Sequence, residues 1–182
     1  MRPYLLRRDA VSSVRPCGLL RRASAARTRI AFAHDTCYLS SMKLYLAGPL
    51  FNTAEREFNT RMRDLLKKAG FEVWLPQDYE PREKSAKAIF LKDVEGIDWC
   101  DVVVASMDGA DPDSGTCWEC GYAYGKKPVV VYRTDVRAGD DPKFGPYNLM
   151  LTQSATACLS MPSASVDALA KSLAETLRNL QR

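Results

Sequence analysis

From Met42 onward the sequence predicts an α/β fold, a five-stranded doubly wound parallel sheet in a single domain. Short β-branched runs alternate with amphipathic stretches, the pattern of strands joined by crossover helices. Two of the runs, DVVVAS (101–106) and KPVVVYR (127–133), are almost continuously apolar, as befits strands covered on both faces. At 182 residues and 20.3 kDa the chain is long enough to bury the core of one domain of medium size.

KLYLAG (43–48) reads as the first strand. Asn52 followed by Glu55 has the spacing of a helix cap, and Phe58, Met62, Leu65, Leu66 and Ala69 then fall at helical intervals until Gly70 stops the run. FEVWLP (71–76) is the second strand. A second helix is expected from Ser85 to Trp99, with Ala86, Ile89, Phe90, Val94 and Ile97 on its buried side. The third strand, at 101–106, leads into a helix from Gly115 to Tyr124, and the fourth strand follows at 127–133. Residues 134–147, with two glycines, two prolines and three aspartates, read as a loop, and loops of this length often carry function. A short fifth strand near Ala155 to Leu159 precedes a last helix striped by Val166, Leu169, Leu173, Leu177 and Leu180. In such a flavodoxin- or Rossmann-like sheet, ligands bind outside the carboxyl ends of the strands. There the first and third strands deliver GPLFN and DGADPDSGT.

The net charge of +4 is unevenly spread: residues 1–41 hold eight arginines and two acids, a net of +6, which leaves −2 for residues 42–182. A slightly acidic folded part offers no basic face to a nucleic-acid polymer. The leader is rich in Arg, Ser and Ala, the composition of a mitochondrial targeting segment. A start at Met42, with a cytoplasmic protein, is the alternative. No run of about 18 apolar residues argues for a membrane span. The six cysteines lack the short regular spacing of a disulfide framework, so free thiols in a reducing compartment are the simpler expectation.

Glu119 is the lone glutamate in DGADPDSGTCWECGYAYG (108–125). Thr116-x-x-Glu119 fits a capping box. Yet Asp108, Asp111 and Asp113 crowd the same helix mouth, and several carboxylates at one strand end suggest acid and nucleophile work on a small polar ligand. The only histidine, His34, lies in the leader, so no Ser-His or Cys-His pair can be built in the folded part. Cys117-x-x-Cys120 has no second pair to complete a zinc site, and its thiols are expected to pack as small hydrophobes. AGPLFN matches neither phosphate-binding glycine motif. Tyr45, Phe51 and Trp118 either belong to the core or line a pocket that stacks a flat base. Core is the commoner outcome for the Tyr45 ring, whose hydroxyl still needs a partner.

YLAGPLFN, KDVEGIDWCDVVVA, DPDSGTCWECGYAYGKKP and PYNLML, in this order, resemble the nucleoside 2-deoxyribosyltransferase family over most of residues 42–160. The resemblance implies a doubly wound α/β protein that forms homo-oligomers with shared active sites. It implies transfer of a 2-deoxyribosyl group between nucleobases, using a 2'-deoxynucleoside and a free base as small-molecule substrates. No metal or organic cofactor is implied, nor any nucleic-acid polymer or membrane as partner. Carried over to this chain, Glu119 is the nucleophile that forms a glycosyl ester, and Asp93 is the acid or hydrogen-bond partner on the base side. Asp113 binds a sugar hydroxyl or assists proton transfer, and Tyr45 orients the nucleophile. Asn148 contacts the sugar from a neighbouring subunit, and Gln77 is a weaker match to a base contact. Gly48 and Phe51 in the first loop, with Gly115 and Trp118 at the third strand's end, complete the candidate substrate-binding set. The chain departs from relatives that place a C-terminal aromatic in the site, since it ends LRNLQR. An N-glycosidase acting on a nucleoside or its 5'-monophosphate, and a non-catalytic nucleotide-binding module, are the competing expectations. The resemblance implies that relatives cleaving 5'-monophosphates hold the phosphate with serine and arginine in an early loop; the matching GPLFNTAER has no serine and offers only Arg56 as a cation, which favours a nucleoside.

A fluorescent fusion imaged with and without residues 1–41 tests the leader. Mitochondrial signal lost on truncation is expected, and an unchanged diffuse signal would reject targeting.

Overall fold

The computed structural model describes residues 41–79, 81–83, 85–137 and 146–181. The Arg-rich leader before Ser41, including His34, and the middle of the 134–147 loop lie outside the described residues. Five strands form the sheet: β1 (Lys43–Ala47), β2 (Glu72–Trp74), β3 (Val102–Ser106), β4 (Val129–Arg133) and β5 (Ala157–Ser160). Their order is β2-β1-β3-β4-β5, and every neighbouring pair is parallel. The helices are α1 (Thr53–Lys68), α2 (Ala86–Trp99), α3 (Ser114–Ala123), α4 (Leu149–Ser154) and α5 (Val166–Leu180), with a 3₁₀ turn at Pro76–Asp78. This is the doubly wound α/β fold that the alternating pattern predicts.

Period-two alternation along the strands divides the core. Leu44, Leu46, Val102, Val104, Val130 and Tyr132 meet Met62 and Leu66 of α1 and Leu169, Leu173 and Leu177 of α5. Tyr45, Ala47, Val103, Ala105, Val129 and Val131 point the other way, onto Ile97 of α2 and Cys120 and Ala123 of α3. Because β1 sends the chain to β2 on one side while β3 pairs on its other side, the sheet's switch point lies between the carboxyl ends of β1 and β3. The loops carrying Gly48 and Asp113 leave from that point. No helix among the described residues is long and apolar enough to cross a membrane.

Helix α1 starts as its sequence predicts. Asn52 accepts from the Glu55 amide at 3.0 Å, and the Glu55 carboxylate accepts from the Asn52 amide at 3.2 Å. It ends before Gly70, whose φ of 98° a side chain would resist. Lys127 stops α2: its Nζ donates to the carbonyls of Ile97, Asp98 and Cys100 at the helix's negative end.

Three expectations need correction. Ala86, Ile89 and Phe90 are exposed, not buried. Only the C-terminal half of α2 reaches the sheet, through Gly96 and Ile97, while its first turns overhang the carboxyl edge and place Ile89 on a cleft wall. Helix α4 occupies residues between the expected loop and β5 to which the sequence reading assigns no element. The strands β2 and β5 are displaced or shortened by one or two residues at their ends, where boundaries are set by pairing rather than composition.

Gly96 permits α2 to lie directly on Trp74, since a Cβ there would fall 2.6 Å from the indole Cε2. Gly96→Ala is therefore expected to lower stability by about 1–3 kcal/mol through overpacking. Urea or thermal denaturation checks this, and an unchanged midpoint would show that α2 shifts freely.

Candidate active site

Alternation places Tyr45 on the face of β1 covered by α2 and α3, and its ring is fully buried. Its hydroxyl donates to Glu119 Oε1 at 2.5 Å. Glu119 reaches it because α3 begins one residue earlier than Gly115. Asp113 is the N-cap, and its Oδ2 accepts both the amide and the hydroxyl of Thr116, at 2.9 and 3.1 Å. The alternative reading of Thr116-x-x-Glu119 as a capping box is thus not realised. Thr116 sits at the third helical position, and Glu119, a turn further on, is directed at the sheet. Gly115 makes room for this cap, as a Cβ there would lie 3.1 Å from Asp113 Oδ2.

Burial pushes the Glu119 carboxyl up to about 8. The Tyr45 hydrogen bond opposes that shift by stabilising the anion, and the charges of Asp93 and Asp113 reinforce it. Asp93, on α2, is also raised, by burial. Burial raises the Tyr45 phenol far above its ordinary value, with the adjacent Glu119 charge adding to the effect. Tyr45 therefore remains a hydrogen-bond donor at all working pH values. Three groups that sequence alone nominated, Tyr45, Asp93 and Glu119, form one electrostatically coupled cluster at the carboxyl end of β1. Two carboxyl groups with displaced proton affinities are suited to divide nucleophile and acid roles.

Asp93 opens onto a cleft of about 220 Å³ shared with Leu50, Pro76, Gln77, Tyr79 and Ile89. Tyr79 stacks on Trp74 at 4.1 Å, with Lys92 Nζ 5.0 Å from the Trp74 centroid. Gln77 Nε2 is held by the Arg56 carbonyl and Thr60 Oγ1, at 3.1 and 2.9 Å, and its Oε1 is buried without a hydrogen-bond partner among the described residues. Gly48 ends β1 against Ser106, where a Cβ would be 3.4 Å from the Ser106 Cβ. Phe51 is 77% exposed, so its ring is not core. Trp118 is 46% exposed, stacked on Tyr122 at 5.2 Å and met edge-on by Phe90.

Asn148 is not brought to this cluster. It caps α4, accepting from the Met150 amide at 2.9 Å, and lines a separate groove of about 610 Å³ with Asp111, Cys117 and Tyr124. Asp108 also leaves the candidate acids: its carboxylate accepts from the Thr134 amide and hydroxyl and the Asp135 amide, tying the loops after β3 and β4 together. Cys120 is buried and its thiol pushed up to about 12, while burial raises Cys117 as well, so neither is poised as a thiolate. Sequence reasoning passed over Asn59. It is buried on α1, and its Nδ2 donates to the Pro49 carbonyl at 2.9 Å, fixing the loop after β1. An asparagine one position from Phe58 and three from Met62 was the available signal.

The sequence model described as nucleoside 2-deoxyribosyltransferase matches residues 44–150. Among solved structures, the chain is similar to the 2-deoxyribosyltransferase from Bacillus psychrosaccharolyticus, with 27% identity and a TM-score of 0.56 over 70% of this chain and 90% of that one. It is similar to a 2-deoxyribosyltransferase from Leishmania mexicana at 25% identity and a TM-score of 0.56, covering 74% and 97% of the two chains. A CMP N-glycosidase from Clostridium botulinum shares the fold at 17% identity and a TM-score of 0.50, covering 75% and 98%. No curated protein matches the chain. The family match extends from β1 into α4 and takes in Tyr45, Asp93 and Glu119, and the chain belongs to the nucleoside 2-deoxyribosyltransferase family.

Proposed function

We propose that the chain transfers a 2-deoxyribosyl group from one nucleobase to another by double displacement, serving nucleobase salvage. The observation that carries this reading is the 2.5 Å hydrogen bond from Tyr45 to a carboxylate that also feels Asp93. A glutamate held by a phenol at a sheet's switch point is an oriented nucleophile. In the first half-reaction a Glu119 carboxylate oxygen bonds to the anomeric carbon. The glycosidic C–N bond breaks toward the base, which takes its proton from Asp93. In the second, the incoming base attacks the same carbon, the ester bond to Glu119 breaks, and Asp93 recovers the proton. Burial raises Asp93 and so favours its protonated form, whereas at Glu119 the Tyr45 hydrogen bond works against burial and favours the ionised form that attacks. Water in place of the second base would give the N-glycosidase outcome.

The site is proposed to work in a homo-oligomer. Asn148 lines a groove with Asp111, Cys117 and Tyr124 whose lining does not include Glu119, which supports a sugar contact made from a second copy. Exposed Phe90, Trp118, Tyr124, Leu149 and Met150 across α2, α3 and α4 supply an apolar surface for such an assembly.

Chromatography of a 2'-deoxynucleoside incubated with and without a different free base tests the reading. A new deoxynucleoside only when the base is present is expected, with parallel initial-rate lines. Release of free deoxyribose without exchange would make the protein a hydrolase, and intersecting lines would sink the covalent intermediate. Glu119→Gln should reduce turnover by roughly 10³-fold or more. Tyr45→Phe should lower kcat by about 10- to 100-fold with little change in KM, since one hydrogen bond to a charged group is lost.

Glu119 also predicts a pH signature. Its carboxyl is raised from 4.5 to about 8 in the folded chain, so the stability tied to its protonated form is full below the lower value and is lost as pH rises through the upper one. The Tm of Glu119→Gln minus that of the wild type should be flat in acid and grow between these limits. A constant difference across that window would show that the carboxyl is not perturbed by burial.

A further inference from the structure

Helix α2 turns one face to the cleft beside Asp93. Ile89, Lys92 and Asp93 follow the spacing of helix-surface neighbours, and all three line the cleft. In the transfer reading Asp93 protonates the departing base, so the base occupies this space and its exocyclic groups lie beside the same helix face. Lys92 is the one cation among the described lining residues. It is held more closely than a lysine on a flexible stem usually is. Its Nζ donates to both carboxylate oxygens of Glu95, at 3.0 and 2.9 Å, and stands 5.0 Å from the Trp74 centroid and 5.9 Å from that of Tyr79. Tyr79 stacks on Trp74, so the ring stack that walls the cleft at Tyr79 also holds the ammonium. An ammonium has only donors. With two of them on Glu95, the third is left for a ligand. It can pair with a carbonyl oxygen, whereas an exocyclic amino group would set donor against donor. Gln77, on the same lining, has a buried Oε1 without a hydrogen-bond partner among the described residues. An oxo base carries a carbonyl next to a ring N–H, and a free donor with a free acceptor is the complement of that pair.

Resting on the transfer reading above, we infer that Lys92 is a specificity-determining residue: its ammonium, on the cleft face of α2 beside Asp93, selects bases that carry an exocyclic carbonyl oxygen over those that carry only an amino group. When the glycosidic bond breaks, its electron pair passes to the base, and a carbonyl conjugated with the ring takes part of that charge. The ammonium therefore favours such a base more strongly as it departs than while it is attached. The Lys92 side chain is 31% exposed, which limits the discrimination to less than a closed site would reach.

Deoxyinosine and deoxyadenosine differ only in the oxo or amino group at one ring carbon and the ring proton that goes with it. Their turnover by the full chain is compared for the wild type, for Lys92→Met, which keeps an apolar stem against the rings, and for Lys92→Arg, which keeps the charge. The wild type should prefer deoxyinosine by about tenfold in kcat/KM; Lys92→Met should abolish most of that preference and Lys92→Arg should retain most of it. Both donors are turned over by one preparation, so partial unfolding lowers both rates and leaves their ratio unchanged. Raising the salt concentration severalfold should narrow the wild-type ratio too, a measurement that needs no variant. A wild type that uses deoxyadenosine as well as deoxyinosine, or a ratio unmoved by both Lys92→Met and salt, overturns the inference. If neither donor turns over, the transfer reading fails. Calorimetric affinities of the same two nucleosides then decide the inference: a preference for deoxyinosine that is lost in Lys92→Met supports it, and equal affinities overturn it.

Discussion

Desolvating a carboxylate disfavours its charged form, and the fold opposes that tendency at Glu119 with a single buried donor. Tyr45 can act as that donor only because alternation along β1 turns it toward α2 and α3, while Leu44 and Leu46 turn toward α1 and α5. A shift of one residue in the β1 register would exchange the two sets, bury a leucine where the phenol stands and leave Glu119 facing apolar carbon. The pairing of β1 with β2 and β3 on both sides thus secures a chemical contact as well as a sheet. The same contact orients α3, whose second turn meets the sheet through Glu119 and Cys120 side by side.

The strands and the principal helices were legible because their signals are local. Continuous valines mark β3 and β4, and Asn52 with Glu55 marks the start of α1. Tyr45, Asp93 and Glu119 were nominated by resemblance, and the coordinates bring them into one cluster. What sequence did not reveal depends on tertiary placement. The run T-x-x-E looked like a cap, but Asp113 lies one residue outside the helix and captures Thr116, which frees Glu119 for Tyr45. Ile89 and Phe90 have the period of a buried stripe, yet periodicity does not say where the sheet beneath ends. Helix α4 has six residues, too few for any period to appear. Asp108 resembled an acid at a strand end because its real partners, the backbone of Thr134 and Asp135, are 26 and 27 residues away.

Carboxylates dominate the carboxyl edge of the sheet, and they do three separate kinds of work. Asp108 braces loops, Asp113 and Glu55 cap helices, and Glu119 and Asp93 sit in low-dielectric surroundings with raised proton affinity. The division follows the number of backbone amides available to each. Side chains that accept from backbone amides are held in structural roles, whereas Glu119 meets a phenol. Two basic side chains near the edge already have partners: Lys92 pairs with Glu95, and Arg133 donates to the carbonyls of Met107, Gly109 and Arg137.

The close approach of α2 to Trp74 also governs something other than packing. Gly96 lies three residues after Asp93, so the two share a face of the helix one turn apart. The depth to which the backbone sinks at Gly96 fixes how far the Asp93 carboxyl stands above the sheet, and hence its separation from the carboxylate that Tyr45 holds. One acid is hung from a helix and the other is clamped to a strand, and the spacer between them is a missing methyl group. A side chain filling that gap would shift Asp93 relative to Glu119, even though the substitution touches neither acid.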